Sequence, residues 1–182
     1  GDSGGNFEDY GIGHWAQDAR AVLEQLTDGP QILVGSSMGA WIACLLAQWC
    51  PERVAGMGLI APAADFTREL LWPSWTKRTR DACLKQGKVE LPSPYDDGTM
   101  VYSKKLIEEG DANLILDKPL PVTVPVRILQ GMRDETVPWQ HAARLAEHLQ
   151  SEDVLLTLIK AGDHRLSSPD DLELLAEALD AF

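Results

Sequence analysis

The segment that constrains this chain most is Gly35-Ser36-Ser37-Met38-Gly39. Before it stands Gln31-Ile-Leu-Val34, a continuous branched apolar run with the pattern of a strand buried on both faces. After it, residues 40–50 are small and apolar throughout and read as a buried helix ended by Pro51. Residues 54–61 form a second apolar strand. Strand, helix and strand within about 30 residues make a βαβ unit, so these strands run parallel in one sheet.

The same alternation frames the rest of the chain. Apolar side chains at Ile12, Trp15, Ala16, Ala19, Val22, Leu23 and Leu26 recur in steps of three and four, predicting an amphipathic helix over 7–26, weakly interrupted by Gly11 and Gly13. Asp28-Gly29-Pro30 stops it. After residue 120 a strand at 126–130, a helix at 139–149, a strand at 154–159 and a last helix at 169–182 follow in turn. The intervening residues 62–119 carry Trp72, Trp75, Tyr95, Tyr102, several prolines and a Lys/Arg cluster over 77–88. They show helical patches near 66–72, 76–87 and 99–109 and no clear strand. The expected organisation is therefore an α/β core in two pieces, 1–61 and 120–182, with 62–119 as a helical insertion laid over the sheet. No internal repeat or low-complexity tract appears.

Composition narrows the function classes. With 28 acidic and 16 basic residues the net charge is −12, a field that repels phosphate backbones and anionic lipid surfaces. Nucleic acid and membrane are thus not expected partners, and no apolar run approaches the roughly 20 residues that span a bilayer. Cys44, Cys50 and Cys83 form no C-x-x-C pair and no metal-ligand spacing with histidine. They read as reduced, buried thiols, which places the chain in the cytoplasm, or in the mitochondrial matrix if it is eukaryotic. The glycine-rich opening, Gly1 to Gly5, is a poor place for a domain to begin, so the chain is expected to be a segment of a longer polypeptide.

The turn at 35–39 also carries the chemistry. A serine held on a tight strand-to-helix turn needs strained torsions and small neighbours two positions to either side. The following helix directs its first N–H groups at the site, and the Met38 N–H would face a developing oxyanion. A serine hydroxyl needs a base, and the base an orienting acid. Asp134 follows the strand at 126–130 and His164 follows the strand at 154–159. Serine, acid and histidine then lie at carboxyl ends of parallel strands, where open α/β sheets gather their catalytic groups. Glu135 and Asp163 are rival acids, with Asp134 preferred; Ser36 is off the apex of the turn. His14, His141 and His148 lie inside expected helices and read as ordinary structural histidines. Phe66, Leu70, Leu71, Trp72 and Trp75 would give the insertion an apolar underside suited to an acyl or aryl group.

On Asp28-Gly-Pro-Gln-Ile-Leu-Val-Gly-Ser-Ser-Met-Gly39 with Trp41, Gly131-Met-Arg-Asp134 with Val137-Pro-Trp139, and Asp163-His-Arg165, the chain resembles the α/β-hydrolase superfamily over nearly its whole length. Within it, the likeness is to mitochondrial abhydrolase-type serine esterases, of the palmitoyl-protein thioesterase and acyl-glucuronide esterase kind, and to their bacterial relatives. The resemblance implies Ser37 as nucleophile, Asp134 as orienting acid, His164 as general base and Met38 as an oxyanion-hole amide. It implies residues 62–119 as a cap and neither metal nor organic cofactor; Trp72, Trp75 and Val137 are the candidate substrate contacts. The implied partner is a small acyl ester or thioester, or an acylated protein. Such hydrolases have about eight strands where four are read here, so the early strands, and the loop giving a second oxyanion N–H, are expected outside this chain. Two other readings stay open: a non-catalytic binding protein on this fold, and an aminopeptidase-type hydrolase with Glu69, Asp96 and Asp97 holding an amine. A dehalogenase would place an Asp where Ser37 stands.

Overall fold

In the computed structural model, residues 4–93 and 97–182 are described; of the residues singled out above, the first three of the glycine-rich opening, Tyr95 and Asp96 lie outside them. The chain divides into two compact units, one of residues 18–64 and 115–182, the other of residues 1–17 and 65–114. The second unit takes most of the expected insertion but also the start of the chain, which sequence reading had assigned to the core.

A Phe7–Asp9 3-10 turn and helix α1 (Ile12–Leu26) open the described chain. Strand β1 (Gln31–Ser36), helix α2 (Met38–Trp49) and strand β2 (Val54–Ile60) then form the expected βαβ unit. The pairing is parallel, from Ile32 opposite Gly56 to Ser36 opposite Ile60. A π-helical turn at Thr67–Leu71 runs into the single turn α3 (Trp72–Ser74), and α4 (Lys77–Gln86) follows. Thr76 caps α4 by accepting from the Thr79 N–H, and Gly87, at φ 83°, ends it in the left-handed region that favours glycine.

Strands β3 (Lys88–Pro92) and β4 (Thr99–Ser103) come next, paired antiparallel, and they correct the expectation that 62–119 is all helical. The segment expected as a helix over 99–109 is a strand up to Ser103, whose side chain then caps α5 (Lys104–Ala112). The reason is a short two-residue alternation. Val89, Leu91 and Tyr102 pack on the cluster of Trp75, Cys83 and Ile107, while Lys88 and Glu90 face out.

The sheet is completed by β5 (Val126–Gly131) and, after α6 (Trp139–His148), by β6 (Val154–Ile159); α7 (Pro169–Asp180) closes the chain. The strand order is β1-β2-β5-β6, all parallel. Side chains alternate across a strand, so the faces can be told apart. A Cβ at Gly35 would strike the Gly39 carbonyl and Ala40 N of α2, whereas one at Gly58, opposite Val34, would meet Leu179 of α7. Helices α2 and α7 therefore cover opposite faces. Trp41, Met57, Leu59, Ile128 and Leu145 fill the interior of this unit with essentially no exposure.

Strand β1 departs from its sequence reading. Its apolar run predicts burial on both faces, yet Ile32 and Val34 are 43% and 52% exposed. Among the described residues β1 pairs only with β2, so it is an edge strand, and apolar content alone cannot report which neighbours are present. Cys44, Cys50 and Cys83 are all buried and none is in a disulfide, as read; burial raises the thiol pKa of Cys50 and Cys83.

Candidate active site

Three loops at the carboxyl ends of β1, β5 and β6 meet in the unit that carries the four-stranded parallel sheet. Ser37 sits between β1 and α2 with φ 54° and ψ −118°, a strained conformation for a residue with a Cβ. Backbone hydrogen bonds hold it there. Its N–H donates to Ile60 O at 2.8 Å, and its carbonyl accepts from Ala40 N and Ala63 N, each at 3.1 Å. Met38 is the first residue of α2, so its N–H has no carbonyl one turn back to meet. Gly35 is required by its close approach to Gly39, but a Cβ at Gly39 would meet nothing within 4 Å. Only one of the two glycines flanking the serine is therefore under steric demand in this structure.

The Ser37 Oγ lies 3.0 Å from His164 Nε2, and His164 Nδ1 lies 2.7 Å from Asp134 Oδ2. The Asp134 side chain is wholly buried and the His164 side chain 14% exposed. Asp134 Oδ1 accepts the N–H groups of Thr136 and Val137, both at 2.8 Å, and Oδ2 also accepts from Gln130 Nε2 at 3.0 Å. Burial is the largest single influence on this carboxyl and raises its pKa. The bonds from His164, Val137 and Thr136 together with electrostatic attraction to His164 outweigh it, and the net shift is downward. Asp134 is thus held ionised, an acceptor only. The Nδ1 proton of His164 must point at it, which leaves Nε2 bare toward the serine.

The acid and histidine loops are clamped to each other through backbone. Met132 N donates to Ile159 O and Arg133 N to Gly162 O, each at 2.9 Å. Gly131 lies so close that a Cβ there would strike the Gly162 carbonyl. Beneath them Leu166 packs with Ile60, Ala61 and Leu129 and is backed by Ile159, Leu175 and Ala178.

The rival residues fall elsewhere. Ser36 ends β1 and is exposed, Glu135 is exposed, and Asp163 Oδ1 accepts from Arg165 N and Leu166 N to shape its own loop. His14 lies in α1 beside Glu109, and His148 Nδ1 contacts the Arg144 carbonyl at the end of α6. His141 is more buried than expected, with Nε2 2.6 Å from Ala64 O. Val137 reaches the site through its backbone N–H, its side chain being 1% exposed. Trp75 is buried in the core of the other unit, and Trp72 packs beside it with ring centroids 5.5 Å apart. Glu69 is half-buried and Asp97 exposed; both belong to that unit. Gln130 was missed by sequence reading; its one sequence signal is its place just before Gly131 at the end of a strand.

A parallel sheet whose loops carry a serine on a strained strand-to-helix turn, aligned with an imidazole and a buried carboxylate, defines the α/β-hydrolase class. The chain belongs to the α/β-hydrolase family. A family profile for the alpha/beta hydrolase fold matches residues 1–90. A protein of Agrobacterium vitis S4 assigned as a hydrolase has a solved structure 44% identical in sequence, superposing with a TM-score of 0.95 over all of this chain and 72% of that one. The solved structure of alpha/beta hydrolase domain-containing protein 10 from mouse is 37% identical, with a TM-score of 0.90 and the same coverage. In sequence the chain is 38% identical over 183 residues to the mouse mitochondrial palmitoyl-protein thioesterase ABHD10, covering 99% of this chain and 61% of that protein. The chain thus spans about three-fifths of the length of the curated relatives it matches.

Proposed function

We propose that this chain carries the nucleophile, base and acid of a serine hydrolase that cleaves carboxylic esters or thioesters. The observation that supports it most is the unbroken line from Ser37 Oγ through His164 to Asp134, at 3.0 and 2.7 Å. His164 Nε2 accepts the Ser37 proton as Oγ attacks the acyl carbonyl carbon. The carbonyl electron pair moves onto its oxygen, which the Met38 N–H stabilises, and Asp134 stabilises the imidazolium. The C–O or C–S bond then breaks, and the imidazolium gives its proton to the departing alkoxide or thiolate. Water, deprotonated by the same nitrogen, attacks the acyl-enzyme; the bond to Oγ breaks, and Ser37 recovers its proton. Thioesters and activated esters suit the site because their leaving groups need little acid help.

The mouse relative is named a palmitoyl-protein thioesterase. By that likeness the acyl donor of this chain is a thioester, carried on a small molecule or on an acylated protein. Three buried thiols outside any disulfide fit a reducing compartment, cytoplasm or mitochondrial matrix. Among the described residues no helix is long and apolar enough to cross a membrane.

A fluorophosphonate probe followed by intact-mass measurement tests the reading. One adduct on the wild-type chain, lost in Ser37→Ala, is the expected result. No labelling of this chain while folded would point to the second oxyanion donor being supplied from outside it, whereas no labelling of the full-length protein would favour the non-catalytic binding protein.

A further inference from the structure

We propose that Gln130 is a positioning residue that fixes the Asp134 carboxylate and, through it, the imidazole of His164. The inference rests on the hydrolase reading above. Gln130 lies at the end of β5, is fully buried, and takes no part in the proton transfers between Ser37, His164 and Asp134. Its Nε2 donates to Asp134 Oδ2 at 3.0 Å and to the carbonyls of Gly131 and Val137, both at 3.1 Å. One amide nitrogen thus ties the strand end, the acid and the far side of the acid turn together. Because all three neighbours are acceptors, the orientation of the amide is set by its surroundings.

Two features separate this from ordinary core packing. First, Gln130 supplies the second donor on Oδ2, the oxygen that also receives the His164 proton. With two backbone N–H groups on Oδ1, the carboxylate then has four donors and no free direction in which to rotate. Second, Gln130 Oε1 is buried and meets no donor among the described residues. A bare buried carbonyl is destabilising, so an apolar side chain of this length would suit packing alone better. What an apolar side chain cannot supply is the donor to Asp134. The other ionisable residues of the two loops, Arg133, Glu135, Asp163 and Arg165, are exposed, so His164 is the titratable partner of Asp134 there.

The test is a double-mutant cycle on the full chain. Gln130→Met keeps length and removes both donors. Its rate of fluorophosphonate labelling should fall about tenfold, the effect of losing one hydrogen bond to a charged group. In an Asp134→Asn background the same change should cost less than twofold, because the group it acts through has gone. Equal losses in both backgrounds would overturn the proposal and leave Gln130 a structural residue. Gln130→Glu, which keeps the shape, guards against misfolding. Its introduced carboxyl donates to Asp134 when protonated and repels it when ionised, so its labelling rate relative to wild type should fall as pH rises; a constant ratio would count against the proposal. The downfield proton resonance of the His164–Asp134 hydrogen bond separates the two readings. Should the wild-type chain not label, a shift of that resonance in Gln130→Met still supports positioning, and an unmoved one refutes it.

Discussion

Replacing Asp134 by Asn changes one atom and tests both the chemistry and the electrostatics of the site. The side chain accepts four hydrogen bonds, two on each oxygen. An amide that keeps its oxygen toward Thr136 and Val137 turns an NH2 toward His164 and Gln130. The Gln130 bond becomes a donor–donor contact. The His164 bond survives only if Nδ1 gives up its proton, which moves that proton to Nε2, the nitrogen facing Ser37. The base is then in the wrong tautomer, a change of the kind that costs about 10⁴ in kcat in a serine protease. The Gln130 hydrogen bond to a charged, buried group is lost as well. At about 1.5 kcal/mol it corresponds to about 3–6 °C in Tm for a chain of this size.

The pH dependence has a definite sign. The Asp134 pKa is lower in the folded chain than its ordinary value, so its contribution to stability is complete above about pH 4. That contribution is lost as pH falls through the folded value. The Tm difference between wild type and Asp134→Asn should therefore be largest near neutrality and shrink below about pH 4. Thermal melts from pH 7 downward, with labelling rates on the same samples, measure both effects. A Tm difference that persists undiminished into strong acid would refute the electrostatic argument. Labelling within tenfold of wild type would refute the tautomer argument.

The other predictions follow from the same geometry. Ser37→Gly should abolish labelling yet raise Tm by about 2–4 °C, because glycine relieves about 1 kcal/mol of strain at φ 54°; a fall in Tm would contradict the strain. Gly131→Ala should slow labelling at least tenfold by driving its Cβ into the Gly162 carbonyl and parting the acid and base loops; unchanged labelling would show that the loops can yield. Gly35→Ala should fail to give folded protein in circular dichroism, while Gly39→Ala should melt within about 2 °C of wild type, since nothing lies within 4 Å of its Cβ. Equal behaviour of the two glycines would undo the steric account of the turn.

Much of this site is local, and that is why the sequence carries it. A strand, a tight turn and a helix are consecutive, so Gly35, Ser37 and Met38 could be placed without knowing anything distant. Asp134 and His164 each follow an apolar strand, and parallel pairing brings the carboxyl ends of such strands to one edge. The β3–β4 hairpin was missed because five-residue alternations are easily masked by neighbouring helical spacing, although Val89, Leu91 and Tyr102 were in register to pack on Trp75.

Other features depend on which distant groups become neighbours. The exposure of Ile32 and Val34 is set by what packs on their face of the sheet, which an apolar run by itself does not report. The need for glycine at 131 is set by a loop about thirty residues away, and the freedom at 39 by what does not approach it. Asp134 was separated from Glu135 and Asp163 by hydrogen bonding and burial, which adjacent residues in a loop share unequally. Gln130 shows the limit most clearly: a glutamine in an apolar strand has no periodic or motif signature. Its meaning comes only from the carboxylate, 3.0 Å away, that the folded loop turns back toward it. Spacing along the chain determined which chemical groups this protein brings to one sheet edge; only the tertiary structure decided which of them touch, because contact depends on packing that no local pattern encodes.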